Sequence, residues 1–244
     1  EDVDKALATR GLLLQAQEAT EYRAPAARLN YLALDRPDIQ YATKEIARHM
    51  ATPTEGNWLL MKRLGRYLKD HPRLVQEFRW QRNEDRDLCT YTDSDWAGDK
   101  ISRKSTSGGV MRLGDHVIKT WSSTQHCIAL SSGEAEYYGV VKSDSVLLGA
   151  MSMAKDLGID LKGRIHTDSS AAKGIANRRG LGKTRHINVN YLWIQERLQA
   201  GDFQLFKERT DDNVGDLFTK YLEQSKLNKF ITQLGYSFMQ GSDK

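Results

Sequence analysis

The sequence predicts an α/β fold in which a mixed five-stranded sheet is flanked by helices and preceded by an N-terminal helical hairpin. Three observations predict it. Short β-rich runs separated by tight turns follow one another between residues 88 and 122, helix-like and strand-like runs alternate after residue 131, and only helical stripes precede residue 84.

In chain order, Ile39, Ala42, Ile46 and Met50 form one apolar stripe over Asp38 to Met50, and Pro37 suits the first helical position. Trp58, Met61, Leu64 and Leu68 form a second over Thr54 to Lys69. The Thr52-Pro53 break between them predicts an αα-hairpin. Leu88 to Thr92 is short and β-friendly and stops at polar turn residues. Gly109 to Leu113 and His116 to Ser122 flank the tight turn Gly114-Asp115, as in a hairpin. Ser131 or Ser132 then caps a helix to about Leu157 that carries Tyr137, Val140 and Val141 on one face and stops at Gly158. Arg164 to Thr167 is a short strand leading into Asp168. Ile187, Tyr191, Ile194 and Leu198 recur at spacings of four, three and four, which predicts an amphipathic helix. Phe203 to Phe206 completes the strands, and Asn213 caps a helix that carries Asp216.

On this reading Asp93 and Asp168 lie at or just beyond strand carboxyl ends, where α/β sheets bind ligands, while Glu136 and Asp216 lie in the opening turns of helices. Carboxylates brought within a few ångströms repel and raise one another's pKa unless a cation compensates them. Hard cations such as Mg²⁺ supply that compensation through oxygen ligands, and a pair of them forms a phosphodiester-cleaving centre. Taken singly the acids have ordinary roles. Glu134 completes a Ser131-x-x-Glu134 capping box, Asp95 and Asp99 suit a turn, and Asp211 and Asp212 suit a helix N-terminus.

The words around these acids discriminate. DSDWAGD, RKSTSG, ALSS-x-EAEY, KTRHI and DLFTK follow in order between about Cys89 and Leu222. Together they resemble the ribonuclease H domain of copia-type retrotransposon Pol polyproteins. The words LNYLALDRPDIQYATKEIARHM and NWLLMKRLGRYLKDHP resemble the segment that joins polymerase to ribonuclease H in the same polyproteins. The resemblance implies a ribonuclease H-like fold, a connection segment over residues 1–84 following a reverse transcriptase polymerase, and a ribonuclease H domain over 85–244. Nothing in the chain resembles the polymerase's own Asp-Asp word.

The implied activity is hydrolysis of the RNA strand of an RNA/DNA hybrid during reverse transcription, with two Mg²⁺ ions, or Mn²⁺ in their place, as cofactors. The implied ligands are Asp93, with Asp95 as its neighbour and competitor, Glu136 rather than Glu134, Asp168 and Asp216. Asp93 and Asp168 would be shared between the metals, with Glu136 and Asp216 each completing one side. Departures from the family pattern are Gly133, Gly215 and the word His166-Thr167-Asp168-Ser169, none of which removes a carboxylate. Ser94, Ser131, Ser170, Arg179, Lys183, Arg185 and His186 are the implied substrate contacts, and no His stands in Glu208 to Asp212 to assist proton transfer. Trp96 and Trp121 read as packing residues rather than base-stacking platforms. Two other classes stay open: a catalytically silent hybrid-binding module that supports a polymerase, and an integrase or transposase nuclease on the same fold. Four acidic words and no His/Cys zinc module argue against the latter.

Composition is compatible with this reading. At 244 residues the chain can form one large or two smaller domains, and a net charge of +4 with pI near 8.9 is too mild to identify a nucleic-acid binder. The distribution says more: Lys162, Arg164, Lys173, Arg178, Arg179, Lys183 and Arg185 crowd a segment with few acids, which could track a phosphate backbone. Cys89 and Cys127 lack zinc spacing and are expected as reduced thiols on neighbouring strands. With no signal peptide and no long apolar run, the chain is expected to be soluble and intracellular with no membrane partner; the resemblance adds a cytoplasmic virus-like particle.

Overall fold

A computed structural model describes residues 11–81, 87–180, 182, 186–187 and 191–239. In chain order the elements are α1 (Ala16–Leu32), α2 (Gln40–Arg48), α3 (Glu55–Asp70), β1 (Arg73–Gln76), β2 (Asp87–Asp95), β3 (Thr106–Leu113), β4 (His116–Thr124), α4 (Ser132–Asp156), β5 (Lys162–Thr167), α5 (Ser170–Asn177), α6 (Trp193–Ala200), β6 (Phe203–Lys207), α7 (Gln224–Gln233) and β7 (Tyr236–Met239). They divide into two compact units, Glu1–Glu77 with Tyr221–Lys244, and Phe78–Lys220. The stretch from Tyr221 onward thus groups with the helical unit, whereas the sequence reading attached it to the sheet, and the expected boundary at residues 84 and 85 lies outside the described residues.

In the first unit the two predicted helices are present as α2 and α3. Pro37 opens a short 3-10 turn ahead of α2, and Thr54 caps α3 in a reciprocal box with Asn57, whose Oδ1 accepts from the Thr54 N–H at 2.8 Å. Helix α1 was not anticipated. Its buried stripe is partly built of small residues, Ala19, Tyr22, Ala26 and Leu29, and Pro25 sits inside it, so its apolar signal is weak. Tyr22 is fully buried beside Ile39, Ile46 and Leu64 and satisfies its hydroxyl on the Ile46 carbonyl at 2.8 Å. Strands β1 and β7 pair antiparallel in a two-stranded sheet.

The second unit is built on one sheet with the order β4-β3-β2-β5-β6. β2, β3 and β4 pair antiparallel, and β5 and β6 add parallel to β2. Each parallel step needs a crossover, which α4 provides before β5 and α5 with α6 before β6. This is a ribonuclease H-like fold. Helix α4 lies against β2, β3 and β5, with Tyr137, Val140 and Leu147 buried on Leu88, Ile165 and Phe203. Gly139 sets the approach of helix to strand, because a Cβ there would lie 2.7 Å from Ser94 Oγ and 3.2 Å from Thr92 Oγ1.

Several local expectations need correction. The helix expected from Ile187 begins at Trp193, residues 188–190 lying outside the described set. Asp216 stands on a 3-10 turn, Val214–Phe218, rather than an α-helix, although Asn213 caps it as expected by accepting from the Gly215 N–H at 3.1 Å. Cys127 lies beyond the end of β4, so the two free cysteines are not on neighbouring strands. Trp121 is buried, but Trp96 is 46% exposed and is not a core residue.

Candidate active site

Three carboxylates from three separate stretches of chain converge at the carboxyl ends of β2 and β5. Asp93 comes from the last residues of β2, Glu136 from the second turn of α4, and Asp168 from the position just past β5; each offers an oxygen within 4.8 Å of the others'. Local contacts fix two of them. The Ser94 N–H donates to Glu136 Oε1 at 3.3 Å, while Ser94 Oγ donates to the Ala135 carbonyl at 2.9 Å, which ties the end of β2 to the start of α4. Asp93 accepts a hydrogen bond from the Thr219 hydroxyl.

Asp216 reaches the same neighbourhood by close backbone packing. Gly215 sits so near β2 that a Cβ would lie 2.8 Å from the Asp93 nitrogen, and Asn213 Nδ2 donates to the Thr92 carbonyl at 2.9 Å. On the adjoining strand Gly108, the partner of Asp93 in the ladder, leaves room for Phe218. Asp216 is fully buried and pairs through Oδ1 with Lys220 Nζ at 2.7 Å, and the same ammonium lies 3.8 Å from Asp93 Oδ2.

The electrostatics are those of a crowded acidic pocket into which Lys220 brings a cation. Burial, followed by the charges of Asp93 and Asp168, pushes the Glu136 carboxyl far above the usual carboxylate range. Burial pushes Asp93 up too, with Lys220 opposing and Asp216 adding to the rise. Lys220 is itself raised: burial opposes the shift, but Asp93 and Asp216 outweigh it. Glu136 Oε2 is buried and has no hydrogen-bond partner. An orphaned carboxylate oxygen beside two more acids is a donor set that fits a hard divalent cation.

No family model matches the chain. The retrovirus-related Pol polyprotein from transposon RE2 of Arabidopsis thaliana is 33% identical over 221 residues, which are 89% of this chain and 15% of that protein. The Pol polyprotein from transposon TNT 1-94 of Nicotiana tabacum is 30% identical over 208 residues, 84% of this chain and 15% of its own. The chain belongs to the Pol polyprotein family of retrotransposons. It spans about 15% of the length of each of these two polyproteins. Among solved structures, LC11-RNase H1 in complex with RNA/DNA hybrid aligns over 55% of this chain and 94% of its own, at 11% identity and a TM-score of 0.39. Strand order and crossovers, not that likeness, define the fold of this Pol segment.

The other expected site residues of the Pol segment are scattered among structural contacts. Ser131 caps α4 through the Glu134 N–H at 3.2 Å. The Glu134 carboxylate does not close the expected box on the capping residue but accepts from the Leu130 N–H at 2.9 Å and from the Tyr138 hydroxyl. It also holds His186, whose Nε2 lies 2.7 Å from Glu134 Oε2. His186 Nε2 is thus engaged with a buried carboxylate, while its ring stays 43% exposed. Ser170 pairs with Lys207, and Arg179 donates to Gln199 at 3.1 Å. Lys183 and Arg185 lie outside the described residues. Arg164, from the basic segment, forms an ion pair with Asp87 at 2.6 Å. Sequence reasoning gave no role to Thr219 and Lys220, although both stand in the DLFTK word; only the 3-10 turn brings them onto Asp93. Among the described residues no helix is long and apolar enough to cross a membrane.

Proposed function

We propose that this Pol segment cleaves the RNA strand of RNA/DNA hybrids during retrotransposon reverse transcription, with Asp93, Glu136, Asp168 and Asp216 as its metal ligands. The observation that carries the reading is the convergence of Asp93, Glu136 and Asp168 around the unpartnered Glu136 Oε2. When bound, two Mg²⁺ ions, or Mn²⁺, would supply an activated water and stabilise the leaving oxygen. Asp93 and Asp168 would be shared between them, with Glu136 and Asp216 completing one side each. The chain's own contribution is positioning: the Ser94 N–H aims Glu136, Thr219 aims Asp93, and the glycine-mediated approaches of α4 and the 3-10 turn hold the acids on a rigid sheet. Residues 1–84 are proposed as the connection to a reverse transcriptase polymerase of the same polyprotein, and the sheet unit that ends at Lys220, rather than the whole of 85–244, as the nuclease domain. Labelled RNA/DNA hybrid incubated with the protein should be cleaved in Mg²⁺ and spared in EDTA. Asp93→Asn and Glu136→Gln should fold and fail to cleave; cleavage by either purified variant would refute the ligand set, and hybrid binding without cleavage by the parent would favour a silent module.

A further inference from the structure

We propose that Trp96 is a packing platform for the minor groove of an RNA/DNA hybrid lying across the acidic cluster. This deepens the function above and rests on a hybrid being the substrate.

Trp96 follows Asp93 by three residues, so its backbone lies within about 10 Å of the first acid by the reach of an extended chain. The ring is left 46% exposed beside the candidate catalytic centre. Its one polar atom is already satisfied, since Nε1 donates to the Ala129 carbonyl at 3.0 Å. That bond fixes the ring and leaves apolar surface facing outward. Ile128 and Leu130, on either side of the anchoring Ala129, are themselves 52% and 66% exposed.

The loop behind Trp96 is built to hold one shape. Asp99, 7% exposed, accepts from the Ile101 N–H at 3.0 Å and from the Ser102 hydroxyl, and its carbonyl accepts from the Arg103 N–H at 2.8 Å. The Ala97 N–H donates to the buried Ser105 at 3.1 Å. Ala97 and Arg103 take the left-handed backbone region, with φ of 52° and 57°, which residues other than glycine adopt only where their surroundings fix it. Gly98 is tolerated so close to Asp95 only because it has no side chain. The same loop carries Lys100, Arg103 and Lys104.

A loop that carries an exposed apolar ring together with Lys100, Arg103 and Lys104 suits a groove whose sugar edges lie between two phosphate backbones. In a paired hybrid the bases are stacked and inaccessible to a ring face, whereas an A-like minor groove is wide and shallow and exposes sugar carbons.

Binding alone is read in the full chain with Glu136→Gln, by anisotropy of labelled hybrid in Mg²⁺. Adding Trp96→Ala should weaken hybrid binding about 10-fold, the scale of an aromatic contact to nucleic acid, with a smaller loss on single-stranded RNA of the same sequence. Trp96→Phe keeps the ring face without the N–H and should stay within about 3-fold of the parent. The proposal is overturned by unchanged hybrid affinity in Trp96→Ala, by equal losses on hybrid and single strand, or by Trp96→Phe binding as weakly as Trp96→Ala. Should Trp96→Ala fail to fold, the Phe variant alone decides, because a loss there contradicts a ring-face contact. A chain that binds hybrid with this pattern yet never cleaves it would sink the proposed activity and leave the platform standing.

Discussion

Asp144→Asn should make the protein more stable at alkaline pH than at acid pH, relative to the parent. Asp144 lies on α4 two turns beyond Glu136, is fully buried, and neither of its carboxylate oxygens has a hydrogen-bond partner. Burial pushes its pKa up from 3.8 to about 7, with Arg197 opposing and Asp202 adding to the rise. Between pH 4 and pH 7, then, the folded state holds a proton that the unfolded chain releases, and stability falls as pH rises through that window, reaching its full penalty above pH 7. At about 1.36 kcal/mol per pH unit the penalty has a ceiling of about 4 kcal/mol, of which about 2–3 kcal/mol accrues between pH 5 and pH 8. Asparagine removes the ionisation and retains the shape. Urea unfolding of parent and variant at pH 5 and pH 8 should therefore show the variant's relative stability growing by about 2–3 kcal/mol. A difference that stays constant across the two pH values would refute the reasoning and mean that Asp144 is charged and compensated in the folded protein.

Mg²⁺ at about 100 times its dissociation constant should stabilise the parent by about 3 kcal/mol in urea unfolding, reversibly with EDTA, and Glu136→Gln should lose most of that gain; a parent indifferent to Mg²⁺ would remove the metal reading. Gly139→Ala places a methyl 2.7 Å from Ser94 Oγ, so either the Ser94 hydroxyl gives up its bond to the Ala135 carbonyl or α4 retreats from β2, at a cost of about 1–3 kcal/mol and with Glu136 held less firmly beside Asp93. Thermal melts and Mg²⁺ titration would show both losses together, and an unchanged variant would contradict the close approach.

The sheet was legible because its strands are local runs bounded by turn residues, and the hairpin at Gly114-Asp115 was visible in the sequence itself. Asp93, Glu136 and Asp168 were legible from the words around them and from their place at element ends. Other parts were not, for physical reasons. β1 and β7 are short strands far apart in the chain, so no local pattern announces the pair. Helix α1 buries small residues, and the 3-10 turn that carries Asp216 is set by tertiary packing of Gly215 on β2. Trp96 and Trp121 look alike in sequence; only the loop geometry turns one outward and the other inward.

The first compact unit closes with residues from Tyr221 onward, whereas Phe78–Lys220 is one uninterrupted run. As the chain leaves the ribosome, the later unit therefore has all its residues in hand while the earlier one still waits for α7 and β7. The usual vectorial order, first domain first, is reversed. The β1–β7 ladder is the last fastening of a segment whose own beginning was made long before, and shortening the chain at Lys220 would leave β1 without its strand partner while sparing every residue of the acidic pocket.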